Sequence, residues 1–120
     1  MEESARKIFF SFKNAFKGLS YVLKRERNFR IELLVAVFVV ILMIVVDLKR
    51  WELIILISAI FSVLVLELLN TAVERLVNIF RPGSHPYARV IKDIAAASVL
   101  LASVGASIVG IIIFWPYIFG

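Results

Sequence analysis

Hydrophobic and polar positions divide the 120-residue chain into three apolar runs, two short polar links and a mixed N-terminal segment. Leu33–Val46 holds fourteen residues without a charge, and Phe29 and Ile31 extend it toward the N-terminus. Leu53–Leu66 holds another fourteen and continues as a helical pattern to Phe80. Ile94–Gly120 carries no charge at all. A helix crossing a bilayer needs about 20 apolar residues, so the third run suffices alone. The first two suffice if Glu32 and Glu67 sit near the interface or inside a protein bundle. None of the three has the broad polar face of a soluble amphipathic helix. The pattern predicts an all-α integral membrane protein, one domain over residues 1–120, with membrane helices at about 29–48, 51–80 and 92–119.

Residues 1–28 have a different period. On a helical wheel Ile8, Phe9, Phe12, Phe16, Leu19 and Leu23 share one face, and Arg6, Lys13, Lys17 and Lys24 another. This predicts an amphipathic surface helix lying in the headgroup plane. An ordinary helix covering the bundle with a solvated charged face has the same pattern. Arg25–Arg30 then forms a charged knot, with Glu26 amid basic residues. The first link, Asp47–Glu52, is a tight turn; the second, roughly Phe80–Lys92, carries the turn signals Pro82-Gly83 and His85-Pro86. Residues 1–30 contribute eight Lys and Arg, and the second link adds Arg81, Arg89 and Lys92. Positive charge thus places the N-terminus and the second link in the cytoplasm, with Trp51, Trp115 and Tyr117 as an aromatic belt on the outer side. Glu26, Glu67, Glu74, Lys92 and Asp93 then gather near the cytoplasmic interface.

Composition agrees with a membrane chain. The hydrophobic share is 62% and the mean hydropathy +0.96, against roughly 45–50% apolar residues in soluble domains. Fourteen Lys and Arg against nine Asp and Glu leave a net charge of +5. On a soluble protein this would raise nucleic acid as a partner. Here it points to anionic headgroups or a phosphorylated ligand, and no nucleic acid is expected. The absence of cysteine excludes disulfides and thiolate metal sites. The first 30 residues are charged throughout, with no cleavable apolar signal. In the third run Ser98, Ala102, Ala106 and Gly110 recur every four residues, with Ala95 and Gly105 nearby, a ridge suited to close helix packing in lipid. Three short spans, two bearing acids, would leave those acids facing lipid, so a homo-oligomer that buries them is expected.

The chemistry concentrates where the second run turns polar. Glu67, Asn70, Glu74 and Asn78 follow at i, i+3, i+7 and i+11, on one helical stripe. The rise separates the two glutamates by roughly 10 Å. These carboxylates, with Glu26 before the first span, can bind a divalent cation such as Mg²⁺, which takes one or two carboxylates and completes its shell with phosphates and water. Lys92-Asp93 can contact a polyphosphate. Glu67, the deeper carboxylate, can accept a proton from a lipid hydroxyl attacking a phosphoryl group. Neither a Gly-x-x-x-x-Gly-Lys phosphate loop nor a Gly-rich kinase loop occurs. Spacing alone leaves a carboxylate-lined proton or ion pathway equally open.

The segment Glu67-Leu-Leu-Asn70-Thr71-Ala72-Val-Glu74-Arg75 resembles the Glu-x-x-Asn-[Ser/Thr]-Ala-[Ile/Val]-Glu signature of the small prokaryotic diacylglycerol kinases, a family that includes the undecaprenol kinases of Gram-positive bacteria. The resemblance extends to Lys17-Gly18-Leu19, Glu26, Phe29-Arg30, His85-Pro86, Ala88-Arg89 and Lys92-Asp93-x-Ala-Ala. It implies a homotrimer of three-span subunits, each with an N-terminal surface helix and active sites at the cytoplasmic membrane face. Carried over, the proton acceptor falls on Glu67 and the metal carboxylates on Glu26 and Glu74, bridging ATP through Mg²⁺. ATP contacts fall on Lys92, Asp93 and the Gly83-Ser84-His85 link. Asn70 orients Glu67 or the substrate. Asn78 stands where the family usually has Asp, and Lys7 and Asn14 align only by counting back from Lys17-Gly18. His85 also reads simply as a turn residue before proline, and Lys92-Asp93 as an interfacial helix cap.

Thr71, Arg75 and the Pro-Gly-Ser-His-Pro link are most similar to the undecaprenol kinases, which makes undecaprenol the expected lipid alcohol and diacylglycerol the alternative. The third possibility is a non-enzymatic membrane protein, an ion or proton pathway or a structural subunit.

Overall fold

The computed structural model describes residues 1–81, 83 and 85–120. The described residues form four helices, α1 (Glu2–Arg25), α2 (Arg27–Val45), α3 (Arg50–Phe80) and α4 (Pro86–Phe119). The last three are each long and apolar enough to cross a membrane, as the apolar runs predict. At 19, 31 and 34 residues they measure roughly 28, 46 and 51 Å. α3 and α4 form the most extensive pair, α2 leans on α3, and α1 touches α2. The molecule measures 53 × 48 × 22 Å. Three packed helices are only about 20 Å across, so the 48 Å extent means that α1 projects sideways. Val22 is the one residue of α1 that is buried.

The break between α1 and α2 falls at Glu26, two residues before the expected boundary, with φ −110° and ψ 110°. Arg30 determines the position. Its Nη1 donates to the carbonyls of Leu23 and Lys24, both at 3.0 Å, filling acceptors that the end of α1 leaves open. The second link is shorter than expected, because α4 starts at Pro86 rather than near residue 92. His85 is its N-cap, with Nδ1 accepting from the Tyr87 N–H at 3.2 Å, and Pro86 enters at the first turn, where its missing N–H costs nothing.

At the opposite end the chain is fastened by one carboxylate. Glu52 Oε1 accepts from the backbone N–H of Lys49 at 2.9 Å and from the Tyr117 hydroxyl at 2.5 Å. The first bond caps α3; the second ties its start to the end of α4. Trp51, Trp115 and Tyr117 are exposed around this same end. Next to it Leu56, Ile113 and Phe114 make the tightest apolar cluster, with Val39, Leu42 and Met43 of α2 against it.

The predicted small-residue ridge packs only in part. Ala102, Ala106 and Gly110 are half-buried, but Ser98 and Gly105 are exposed. Ser98 returns its hydroxyl to the Ala95 carbonyl at 2.6 Å. A Cβ at Gly105 or Gly110 would meet nothing within 4 Å, so neither glycine is required for close approach inside one chain. Ala88, Ala95, Val99, Ala102, Ala106 and Ile113 instead define the buried side of α4, because the antiparallel partner α3 rotates that stripe inward. α2 and α4 diverge and leave an apolar groove of about 690 Å³ between α2, α3 and α4.

Two outcomes test these fastenings. Tyr117→Phe is expected to lower the thermal midpoint in detergent, followed by circular dichroism, and adding Glu52→Gln should lower it by less than the two single losses summed. Arg30→Ala is expected to open the α1–α2 corner and speed trypsin cleavage after Lys24 and Arg25 several-fold; an unchanged digestion rate would show that the corner holds without it.

Candidate active site

The polar stripe lies on one face of α3 and is graded by depth. Glu67 and Thr71 are each only 3% exposed, Asn70 and Glu74 are half-buried, and Asn78 is exposed. Glu67 is therefore already shielded by its own chain. Neighbours within the chain enclose it. The Thr71 hydroxyl donates to the Glu67 carbonyl at 3.0 Å, which removes that polar group from the apolar surroundings. Asn70 stands one turn on from Glu67, on the same face of α3. Glu32 of α2 is close enough for the two carboxyl groups to act on each other electrostatically. Glu32 Oε2 is enclosed and has no hydrogen-bond partner among the described residues. Two carboxyl groups facing each other among apolar side chains form an acid–base pair, able to take or pass one proton.

Above this pair stands a second group, at the corner of α1, α2 and α3. Arg75 Nη2 forms a short ion pair with Glu26 Oε1, its Nη1 lies 3.9 Å from Glu74 Oε1, and its Nε donates to the Tyr21 hydroxyl at 3.2 Å. The Tyr21 ring also lies against the guanidinium, 5.9 Å from centroid to Cζ. The two carboxylates predicted to share a metal thus converge on one cation, the arginine of their own chain. Both are close enough to Glu67 to act on it electrostatically. The donor pair suits Mg²⁺, a hard cation that takes one or two protein carboxylates and leaves its other positions to phosphate and water. Among the described residues no set of three or more His, Cys, Asp or Glu converges as a metal cage. Any metal here would accordingly be held by these two oxygen donors and its ligand.

The predicted nucleotide residues split between this corner and a recess at the start of α4. Gly83, Lys92 and Asp93 line that recess, of about 280 Å³, together with Arg89. Gly83 turns the chain there with φ +98°, a conformation that suits glycine. Ser84 lies outside the described residues. His85 spends its Nδ1 on the helix cap. Glu74 precedes the end of α3 by six residues and Lys92 follows the start of α4 by six. Both therefore sit about 9 Å from the link, at one depth in the antiparallel pair. Lys7 and Asn14 are exposed on the projecting α1, outside either group.

Sequence reasoning missed Glu32, Arg75, Tyr21 and Arg89 as members of these groups. Glu32 had a readable signal, being a charge inside an apolar pattern, and Arg75 had one in its position next to Glu74. Tyr21 had none, since its partner lies 54 residues away.

The chain matches the family model of prokaryotic diacylglycerol kinase over residues 13–114. It is 36% identical to the undecaprenol kinase of Bacillus subtilis over 110 residues, 92% of this chain and 89% of that one. It is 38% identical to the diacylglycerol kinase of Synechocystis over 107 residues, 88% of this chain but 61% of that longer protein. It is 35% identical to the diacylglycerol kinase of Haemophilus influenzae over 85% of this chain and 84% of that one. With one family model covering nearly the whole length, and with the signature carboxylates gathered along α3 and at its corner with α1 and α2, the chain belongs to the prokaryotic diacylglycerol kinase family.

Proposed function

We propose that this lipid kinase transfers the γ-phosphoryl group of Mg-ATP to the hydroxyl of undecaprenol at the cytoplasmic face of a bacterial membrane, giving undecaprenyl phosphate. The observation that carries the choice of lipid is the groove between α2, α3 and α4. Its one charged lining residue is Glu32, at the end next to Glu67, and apart from Ser103 and Ser107 of α4 the rest of the lining is largely apolar. The lining runs from Ser103 to Phe119 along α4, about 24 Å of rise, but from Ile31 to Leu42 along α2 and from Leu56 to Leu64 along α3, about 16 and 12 Å. A single leaflet offers about 15 Å, half of a hydrocarbon core of about 30 Å. The α4 wall alone is long enough to carry one isoprenoid chain past the midplane, with its hydroxyl at the carboxyl pair. The paired acyl chains of diacylglycerol would end within one leaflet. The 38% identity to a diacylglycerol kinase keeps that lipid as the second reading.

In this reading the lipid hydroxyl loses its proton to the Glu67 carboxylate as its oxygen bonds to the γ-phosphorus, and the bond from that phosphorus to the β-bridging oxygen breaks. Asn70, one turn away, orients the carboxylate. Mg²⁺ held by Glu26 and Glu74 would neutralise phosphate charge. Lys92, in the recess at the same depth, would hold the rest of the triphosphate, with Asp93 beside it to accept from a nucleotide hydroxyl or amino group, and Gly83, Ser84 and His85 in the adjoining link. The family resemblance also supports a homotrimer with α1 on the cytoplasmic membrane surface, and the excess of Lys and Arg in α1 and the second link supports that orientation.

Purified protein assayed with ATP and Mg²⁺ on both lipids tests the choice: undecaprenol is expected to turn over faster, and the opposite order would assign diacylglycerol. Glu67→Gln is expected to cut turnover by roughly 10²- to 10⁴-fold with ATP binding kept; near-normal turnover would remove Glu67 as proton acceptor. Glu74→Gln is expected to weaken Mg-dependent nucleotide binding itself, read by equilibrium titration.

A further inference from the structure

We infer that Arg75 is a resident cation of the nucleotide site, which a divalent metal displaces from Glu26 and Glu74 and which then turns to a phosphate oxygen. This rests on the reading that those two glutamates hold the metal. Arg75 is rooted on α3 beside Glu74 yet reaches Glu26, 49 residues earlier, and Tyr21. A guanidinium stays charged at any pH a protein meets, so it competes permanently for these oxygens. It brings one positive charge to two carboxylates, with Glu67 also within electrostatic reach. Arg25 also stands over the Tyr21 ring, at 5.4 Å, so a divalent cation reaches the two carboxylates by displacing Arg75 rather than by adding to it.

Two contacts make Arg75 a pivot rather than a simple ion pair. Its Nε bond to the Tyr21 hydroxyl and its approach to the Tyr21 ring engage a neutral partner. A metal on the carboxylates leaves both contacts intact. The freed Nη groups then stay at the corner instead of moving into solvent, with a planar fork suited to phosphate.

Mn²⁺ binding to the nucleotide-free protein in detergent, followed by electron paramagnetic resonance, tests this without relying on activity. Arg75→Gln is expected to bind Mn²⁺ about two- to tenfold more tightly than wild type, the scale of losing one partly exposed ion pair. The same variant should bind ATP more weakly at saturating Mn²⁺. Unchanged or weaker Mn²⁺ affinity in Arg75→Gln, alongside weakened binding in Glu26→Gln and Glu74→Gln, would overturn the inference and leave the metal reading standing. Mn²⁺ binding that ignores both glutamate changes would overturn the metal reading, and this inference with it. If Arg75→Gln fails to fold, Arg75→Met carries the test. It also removes the charge while keeping an unbranched side chain, so tighter Mn²⁺ binding supports the inference and unchanged affinity overturns it.

Discussion

The contact on which the rest depends is the ion pair between Arg75 and Glu26, closed by Glu74 and Tyr21. It joins three helices at the point where the chain turns from the projecting α1 into α2. Glu26 is the single extended residue of that turn, so the same residue sets the break and supplies the charge. Arg30 fixes the turn from the other side through the open carbonyls of α1. Without these ties α1, with only Val22 buried, would have little to hold its direction.

At the far end Glu52 plays a comparable part with different partners, capping α3 and receiving the Tyr117 hydroxyl of α4. Between the two ends the packing is apolar and open, and many large side chains of the spans face outward. In lipid, burial of such side chains against one another gains little over contact with hydrocarbon, so shape and polar contacts decide how the helices sit. The α3–α4 pair meets that requirement with small residues and with one fastening at Glu52. α2 meets α3 less closely and leaves the groove beside α4.

This arrangement stacks two environments along one helix face. The deeper level holds Glu32 and Glu67 among apolar side chains, at the end of a groove long enough for a lipid chain. The shallower level holds Glu26, Arg75 and Glu74, at the depth where the recess of Arg89, Lys92 and Asp93 opens. Two turns of α3 separate the levels, which keeps the enclosed carboxyl pair apart from the part-exposed ionic group. A rigid helix keeps that spacing better than a loop could.

The sequence by itself determined the helices and the stripe. Runs without charge specify spans, and a period near 3.6 specifies which residues of α3 share a face, because both are local properties of the chain. The signature from Glu67 to Glu74 and the flanking motifs were enough to indicate the family. Local pattern also misplaced two boundaries: the first helix ends at Glu26 because Arg30 caps it, and α4 begins at Pro86 because His85 caps it. Only the tertiary structure decided that Glu32 faces Glu67, that Arg75 lies between Glu26 and Glu74, and that Glu52 receives Tyr117. Those partners are 35, 49 and 65 residues apart, and no periodicity along one helix encodes which face of another it will meet.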